Sequence, residues 1–223
     1  FPPFAAGAAV FAAAALPLFL ARAPIVAPSS ERTIFKPIKK DPILFASASM
    51  FAGTETAMLI FLPILALELG HGGDVGAQSL TVYGLGLLLA QIPIGQLADR
   101  FPPRRVMAGC AALAAGLAVL VPMMQESVAA LFAVLFFWGG AVGGIYTAGL
   151  VALGNRFKGE SLTAANTGFV FTYAAGGVIG ALMAGAVRDL FGPTGLIVMI
   201  VAALAIYAVA AHRSRGADTA AEL

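Results

Sequence analysis

Charged residues are scarce in this chain. Only 11% of its 223 residues are Asp, Glu, Lys or Arg, whereas about a quarter are charged in a typical soluble domain. A soluble fold of this length could not cover its surface with so few charges. Together with 60% hydrophobic residues and a mean hydropathy of +0.94, this excludes an ordinary soluble protein and predicts one that crosses a membrane several times.

Cysteine and histidine are also too few for the usual disulfide or metal sites. The single cysteine, Cys110, excludes a disulfide within the chain, and its place in an apolar run favours a packing role. The two histidines, His71 and His212, fall in loops on opposite sides of the membrane in the topology described below. The sequence shows no hydrolytic or redox constellation and no phosphate-binding loop. We therefore predict a protein that is not an enzyme, with no cofactor, metal or nucleic-acid partner.

Long apolar runs are what the sequence has in abundance. A membrane-spanning helix needs about 20 apolar residues, because the hydrocarbon core is about 30 Å thick and a helix rises about 1.5 Å per residue. None of the runs alternates with a period of two, so we predict an all-α membrane protein with seven transmembrane helices. The runs cover residues 4–21, 43–67, 77–98, 106–122, 128–153, 163–187 and 194–211.

The basic residues lie in alternate connecting segments. The intervening segments contain only Arg188 and carry acidic residues instead. The positive-inside rule therefore predicts that the basic segments are cytoplasmic, with Phe1 outside and Leu223 inside, and we expect a bacterial inner (plasma) membrane. Twelve of the thirteen Lys and Arg residues fall in segments 22–42, 99–105, 154–162 and 212–223.

The longest connecting segment, 22–42, contains four prolines and five basic residues. This composition is typical of an extended linker between two helical bundles. We therefore predict that residues 1–21 form the last helix of a missing N-terminal bundle and that residues 22–42 form a cytoplasmic linker. Residues 43–211 then form a six-helix transmembrane bundle, followed by a cytoplasmic tail at 212–223.

Two stretches 90 residues apart share the pattern G-x-x-x-D-x-F-x-P, namely GQLADRFPPRRVM at 95–107 and GAVRDLFGPTGLI at 185–197. Three predicted helices lie between them, which places the two copies on opposite membrane faces. Such a pair is typical of an inverted repeat of three plus three helices, as many secondary transporters have.

The first of these stretches resembles the G-x-L-A-D-R-x-G-R-R-x-x-L signature of the major facilitator superfamily. In that family the signature lies in the cytoplasmic loop between helices 2 and 3 and recurs between helices 8 and 9. One helix and a basic linker precede it here, so the chain resembles helices 6 to 12 of a twelve-helix transporter. Pro102 and Pro103 depart from the pattern, since the family prefers glycine and a basic residue there.

The resemblance implies that this turn is a cytoplasmic latch that biases the balance between inward- and outward-facing states. Gly95 would permit close approach of a neighbouring helix. Asp99 would accept hydrogen bonds from a helix N-terminus or pair with an arginine. The arginines alternatively act only as positive-inside anchors. The residues of this gating motif are Gly95, Asp99, Arg100, Arg104 and Arg105.

Glu55 is an acidic residue inside an apolar run. Twelve residues separate it from Ile43, about 18 Å of helix rise, which places it near the middle of the membrane. Ionisable groups at that depth face the interior of a bundle or a wet cavity. We predict that Glu55 couples transport to protons or another cation, or contacts substrate; the alternative is a protonated, hydrogen-bonded structural residue. The resemblance further implies cavity-lining positions for Thr54, Gln91, Trp138, Tyr146, Asn166 and Tyr173.

Three functions are compatible with these features. We favour a secondary active transporter that moves a small solute by alternating access and is coupled to a proton or cation gradient. Its partners would be the solute, protons, the lipid bilayer and the missing N-terminal bundle. The alternatives are a seven-helix receptor or sensor and a membrane scaffold that transports nothing. A receptor would not account for the 95–107 motif or the repeat, and a retinal receptor would need a lysine in 194–211, which has none. Only the cost of keeping Glu55 in the membrane argues against a scaffold.

Overall fold

The structure is a computed structural model that describes residues 12–13, 35–124 and 126–214. The predicted helix 4–21 lies outside these ranges apart from two residues, and so does the tail from residue 215 onward. The predicted assignment of residues 1–21 to a preceding bundle therefore stays a prediction.

The described ranges are helical and contain no strand, which confirms the all-α prediction for this part of the chain. Five of the helices are long and apolar enough to cross a membrane. A short 3-10 turn, Val121–Met123, extends the third of these five. The helices are α1 (Phe35–Lys40), α2 (Pro42–Glu68), α3 (Gly73–Arg100), α4 (Pro103–Leu120), α5 (Val128–Arg156) and α6 (Glu160–Arg213).

Helix α6 is interrupted at Gly192. Its 54 residues would measure about 81 Å if straight, far more than one membrane crossing. Gly192 has φ 68° and ψ −167°, a conformation open mainly to glycine, and the following Pro193 cannot donate a backbone hydrogen bond. The predicted runs 163–187 and 194–211 lie on either side of this break.

The two segments of α6 run in opposite directions. Phe169 packs edge-on against Phe45, near the start of α2, with ring centroids 6.2 Å apart. Arg188 bonds to Glu68 at the end of α2. The Tyr207 hydroxyl then donates to the carbonyl of Ile43, again at the start of α2. The chain therefore turns back at Gly192.

Residues 35–40 lie in the segment whose composition predicted an extended linker, but they form helix α1. Pro37 is tolerated there because the first N–H groups of a helix have no partner within it. Phe35 packs edge-on against Phe171 of α6, with centroids 6.0 Å apart. Contacts with the bundle thus order a segment that composition alone assigned to a linker.

Glycines set the distance between α2 and α6. A Cβ atom at Gly176 would overlap the backbone of Ser49, and one at Gly180 would overlap the backbone of Gly53. The two helices therefore lie closer than larger side chains would permit. The Ser49 hydroxyl donates to the carbonyl of Thr172 across the same contact, at 2.8 Å.

A second glycine contact joins α3 and α5. A Cβ atom at Gly86 would overlap the carbonyl of Phe136, and one at Gly139 would overlap the carbonyl of Tyr83. Tyr83 and Trp138 are buried at this crossing, with ring centroids 6.1 Å apart. The two contacts pair α2 with α6 and α3 with α5.

We expect Gly176→Ala to destabilise the protein by about 1–3 kcal/mol, because the added methyl group forces α2 and α6 apart. Gly185→Ala is the matched control on the same helix, since a Cβ atom there meets no atom within 4 Å. Thermal unfolding of the full-length protein in detergent measures both. Equal unfolding midpoints for the two variants would show that the close contact is not required.

Candidate functional site

Glu55 lies at the middle of α2 and is bonded to a tyrosine of α6. The hydroxyl of Tyr173 donates to Oε2 of Glu55 at 3.0 Å. Tyr173 precedes Gly176 by three residues, and the close approach of the two helices at Gly176 and Gly180 brings its hydroxyl within reach of α2. Both side chains are partly exposed.

Aromatic rings from three helices surround this hydrogen bond. Phe51, one turn before Glu55, has its ring centroid 4.9 Å from that of Tyr146 and 5.9 Å from that of Tyr173. Tyr146 and Tyr173 are also 5.9 Å apart, and Phe169 lies 5.4 Å from Tyr146. We call Glu55 with Phe51, Tyr146, Phe169 and Tyr173 the Glu55 site. It joins α2, α5 and α6.

The other residues expected to line a cavity fall into two groups. Thr54 is buried, and Trp138 is buried against Tyr83. The phenol of Tyr83 interacts electrostatically with Glu55. Gln91 and Asn166 are exposed, and no side chain of the described ranges bonds to either. The structure thus brings Glu55, Tyr146 and Tyr173 together and leaves Gln91 and Asn166 outside the site.

A second polar cluster lies at the start of α2. Asp41 is only 3% exposed, and its Oδ1 accepts a hydrogen bond from the backbone N–H of Leu44 at 3.2 Å, which caps the helix. Its Oδ2 lies 2.7 Å from Nη2 of Arg104 and 3.2 Å from Nε of Arg156. Arg104 also donates to the carbonyl of Ser214 at 3.3 Å. This Asp41 cluster links one end of α2, α4, α5 and α6.

The gating motif is therefore divided in the structure. Arg104 is drawn into the Asp41 cluster, whereas Asp99, Arg100 and Arg105 are exposed. Asp99 forms no hydrogen bond or ion pair with any described residue, so it does not pair with an arginine of this bundle. A Cβ atom at Gly95 would meet a Thr147 methyl group at 3.9 Å, so Gly95 is not needed for close packing within this bundle, and its role in a contact with the other half stays a prediction.

The two prolines that depart from the family pattern shape the start of α4. Pro103 is the first residue of the helix, where its fixed φ angle fits and its missing N–H has no consequence. Phe101 is extended, with ψ 155°, as is usual before a proline. The prolines thus hold Arg104 in the first turn of α4, facing Asp41.

Asp41 is the site residue that the sequence reasoning missed. An aspartate followed by proline, just before a long apolar run, is a signal for a helix N-cap. The signal indicates the cap but contains no information on the two arginines, which come from positions 63 and 115 residues further along the chain.

The opposite end of the bundle has an ion pair of its own. Nη2 of Arg188 lies 2.7 Å from Oε1 of Glu68, and its guanidinium lies 5.5 Å from the ring centre of Phe61. A cavity of about 530 Å³ lies beside this pair, lined by apolar residues such as Leu65 and Pro193. It is at the end of α2 and is separate from the Glu55 site at the middle.

Long apolar helices packed through glycines, with a carboxylate and a hydroxyl bonded between two of them, are typical of a polytopic membrane protein. The family model of the Major Facilitator Superfamily matches residues 43–220, so the chain belongs to that family. This confirms the resemblance drawn from residues 95–107. Membership points to a transporter rather than an enzyme, and it does not favour the receptor or scaffold alternatives.

The chain is also similar to a protein of Bacillus subtilis (strain 168) described as "Uncharacterized MFS-type transporter YfkF". The two are 27% identical over 146 residues, which is 66% of this chain and 37% of that protein. The matched part thus spans well under half of the relative's length.

We expect Asp41→Asn to destabilise the bundle by about 2 kcal/mol, because it leaves two arginines without their shared carboxylate and weakens the cap of α2. Asp99→Asn is the matched control, a change of the same chemistry at an exposed carboxylate. Unfolding by a denaturing detergent measures both in the full-length protein. If Asp41→Asn unfolds at the wild-type midpoint, the cluster does not hold these helix ends together.

Proposed function

We propose that this chain forms part of a secondary active transporter that moves a small solute by alternating access, coupled to a proton or cation gradient. The observation that supports this most strongly is the Glu55 site. It combines an ionisable group at the middle of a membrane helix with a hydrogen-bond donor from a second helix and rings from a third.

Among the described residues, the carboxylate of Glu55 has no opposite charge beside it. Its hydrogen-bond partner is the neutral phenol of Tyr173, and no Lys, Arg or His of the described residues forms an ion pair with it. A hydrogen bond stabilises a carboxylate but leaves its charge, which is unfavourable at this depth. A proton or a positively charged solute would remove that charge. Glu55 is therefore the residue through which an ion gradient would act.

Coupling requires that occupancy of Glu55 changes the balance between two conformations. Glu55 and Tyr173 belong to different helices, and their hydrogen bond depends on the separation of α2 and α6. A neutral Glu55 retains this bond but no longer needs a polar environment. We propose that this difference allows the site to move from a wet cavity to a closed, drier state.

For the architecture we propose seven transmembrane helices, of which the last six form an inverted repeat of three plus three. The turn at Pro102 and Pro103 lies at the Asp41 end of the bundle, and the turn at Gly192 and Pro193 lies at the Glu68 end. These opposite positions support the repeat. We further propose that a missing N-terminal bundle completes the transporter, in a bacterial inner membrane, with the Asp41 end cytoplasmic.

With the Asp41 end in the cytoplasm, the turn of the gating motif would also be cytoplasmic, as a latch requires. Arg104 is engaged within this bundle by Asp41, so it fixes the position of the turn. Asp99 is exposed at the end of α3 and is available to a helix of the other half. We propose that the Asp41 cluster positions the turn and that Asp99 makes the contact that differs between conformations.

We expect Glu55→Gln to reduce gradient-driven flux by at least about a hundredfold, because the amide of glutamine can neither carry a negative charge nor take up a proton as a carboxylate does. Flux would be measured with the full-length protein in liposomes under an imposed pH gradient. Glu68→Gln is the matched control, since Glu68 is a carboxylate of the same helix that is paired with Arg188 at the helix end.

Facilitated flux down a solute gradient separates coupling from folding in this assay. Retained downhill flux with lost gradient-driven flux is the result that the coupling role predicts. Equal gradient-driven flux in Glu55→Gln and wild type would eliminate that role. The absence of any flux from the wild-type protein across a broad set of solutes would favour the receptor or scaffold alternatives.

A further inference from the structure

We propose that the solute bound at the Glu55 site is an organic cation, namely an amine or quaternary ammonium ion with a hydrophobic body. This inference rests on the proposed function, since it names the substrate class of the same site.

The charge of the middle of the bundle supports a cation. Within the described ranges, the charged residues other than Glu55 lie in the end turns of helices, in connecting segments or beside the Gly192 turn. Glu55 is the fourteenth of the 27 residues of α2. An anionic solute at that depth would be repelled by its carboxylate, and a neutral solute would need a bound proton to compensate the charge, whereas a cation compensates it directly.

The aromatic rings add a second attraction for the same charge. The face of a tyrosine or phenylalanine ring attracts a cation within about 6 Å, by about 0.5–2 kcal/mol depending on desolvation. Tyr146 and Tyr173 are partly exposed and pack on the buried ring of Phe51. Tyr173 uses its hydroxyl proton for Glu55, which leaves the ring itself for the solute. The rings also provide an apolar surface for a hydrophobic body.

Binding of the cation and of a proton would exclude one another. The titratable groups that interact with Glu55 are the phenols of Tyr83 on α3, Tyr146 on α5 and Tyr173 on α6, and no basic group of the described residues faces it. One carboxylate can neutralise one positive charge. A proton bound to Glu55 would therefore compete with the cation, so the site would exchange protons for cations.

The test compares two ligands of nearly equal shape. Benzyltrimethylammonium is a cation, and neopentylbenzene is its neutral analogue, with a carbon atom in place of the charged nitrogen. Binding to the purified full-length protein is measured at equilibrium, with partition into protein-free detergent micelles subtracted. We expect the cation to bind at least about tenfold more tightly than the neutral compound. Its affinity should fall as the pH is lowered.

Variants then assign the attraction to particular groups. We expect Glu55→Gln to weaken binding of benzyltrimethylammonium by about thirtyfold and Tyr146→Leu by about threefold. Tyr173→Phe keeps the ring and should weaken binding less than Glu55→Gln does. Glu68→Gln is the control and should bind as wild type does.

Equal binding of the two ligands by wild type would overturn the proposal without the need for any variant. The proposal would also be overturned if the Glu55→Gln variant bound the cation as tightly as wild type does. If flux depends on Glu55 but the cation neither binds nor inhibits it, the substrate class is wrong and the transport function stands. If the cation binds through Glu55 but no solute is moved, the transport function fails and the binding site stands.

Discussion

The hydrogen bond from Tyr173 to Glu55 is the interaction on which the rest of the site depends. It forms because Gly176 and Gly180 of α6 let that helix lie directly against the backbone of α2. With larger side chains at those positions the hydroxyl would lie out of reach, and a carboxylate in the middle of the membrane would lose its donor. The hydrogen bond of the site therefore requires the close packing of α2 and α6 through small residues.

The two ends of the bundle are held by ion pairs, and the middle is not. Asp41 joins Arg104 and Arg156 at one end, and Glu68 joins Arg188 at the other. These pairs lie at the ends of α2, and Asp41 and Glu68 each have a basic partner there. Glu55 alone among these acids has a neutral partner. Glu55 is therefore available to a proton or a solute, whereas Asp41 and Glu68 are used to fix helix ends.

Much of the fold could be predicted from the sequence, because a membrane helix must be long and apolar to satisfy its backbone in lipid. The runs that become α2 to α5, and the break near Pro193, follow from this rule. Glu55 could be found because a charge in an apolar run is conspicuous. The faces of the helices could not be predicted, because the apolar residues of α2 are spread around the helix. The expected cavity residues Gln91 and Asn166 are exposed and lie outside the Glu55 site. The partner of Arg104 is Asp41, 63 residues away, and only the tertiary arrangement of the helices determines that pairing.

Infrared difference spectroscopy of the full-length protein in lipid tests most directly whether Glu55 exchanges a proton in the membrane. The account predicts a carbonyl band of a protonated carboxylic acid that disappears as the pH is raised, and that is missing from the spectrum of Glu55→Gln but present in that of Glu68→Gln. Spectra of wild type and Glu55→Gln that change identically with pH would contradict the account, because Glu55 would then hold one protonation state throughout.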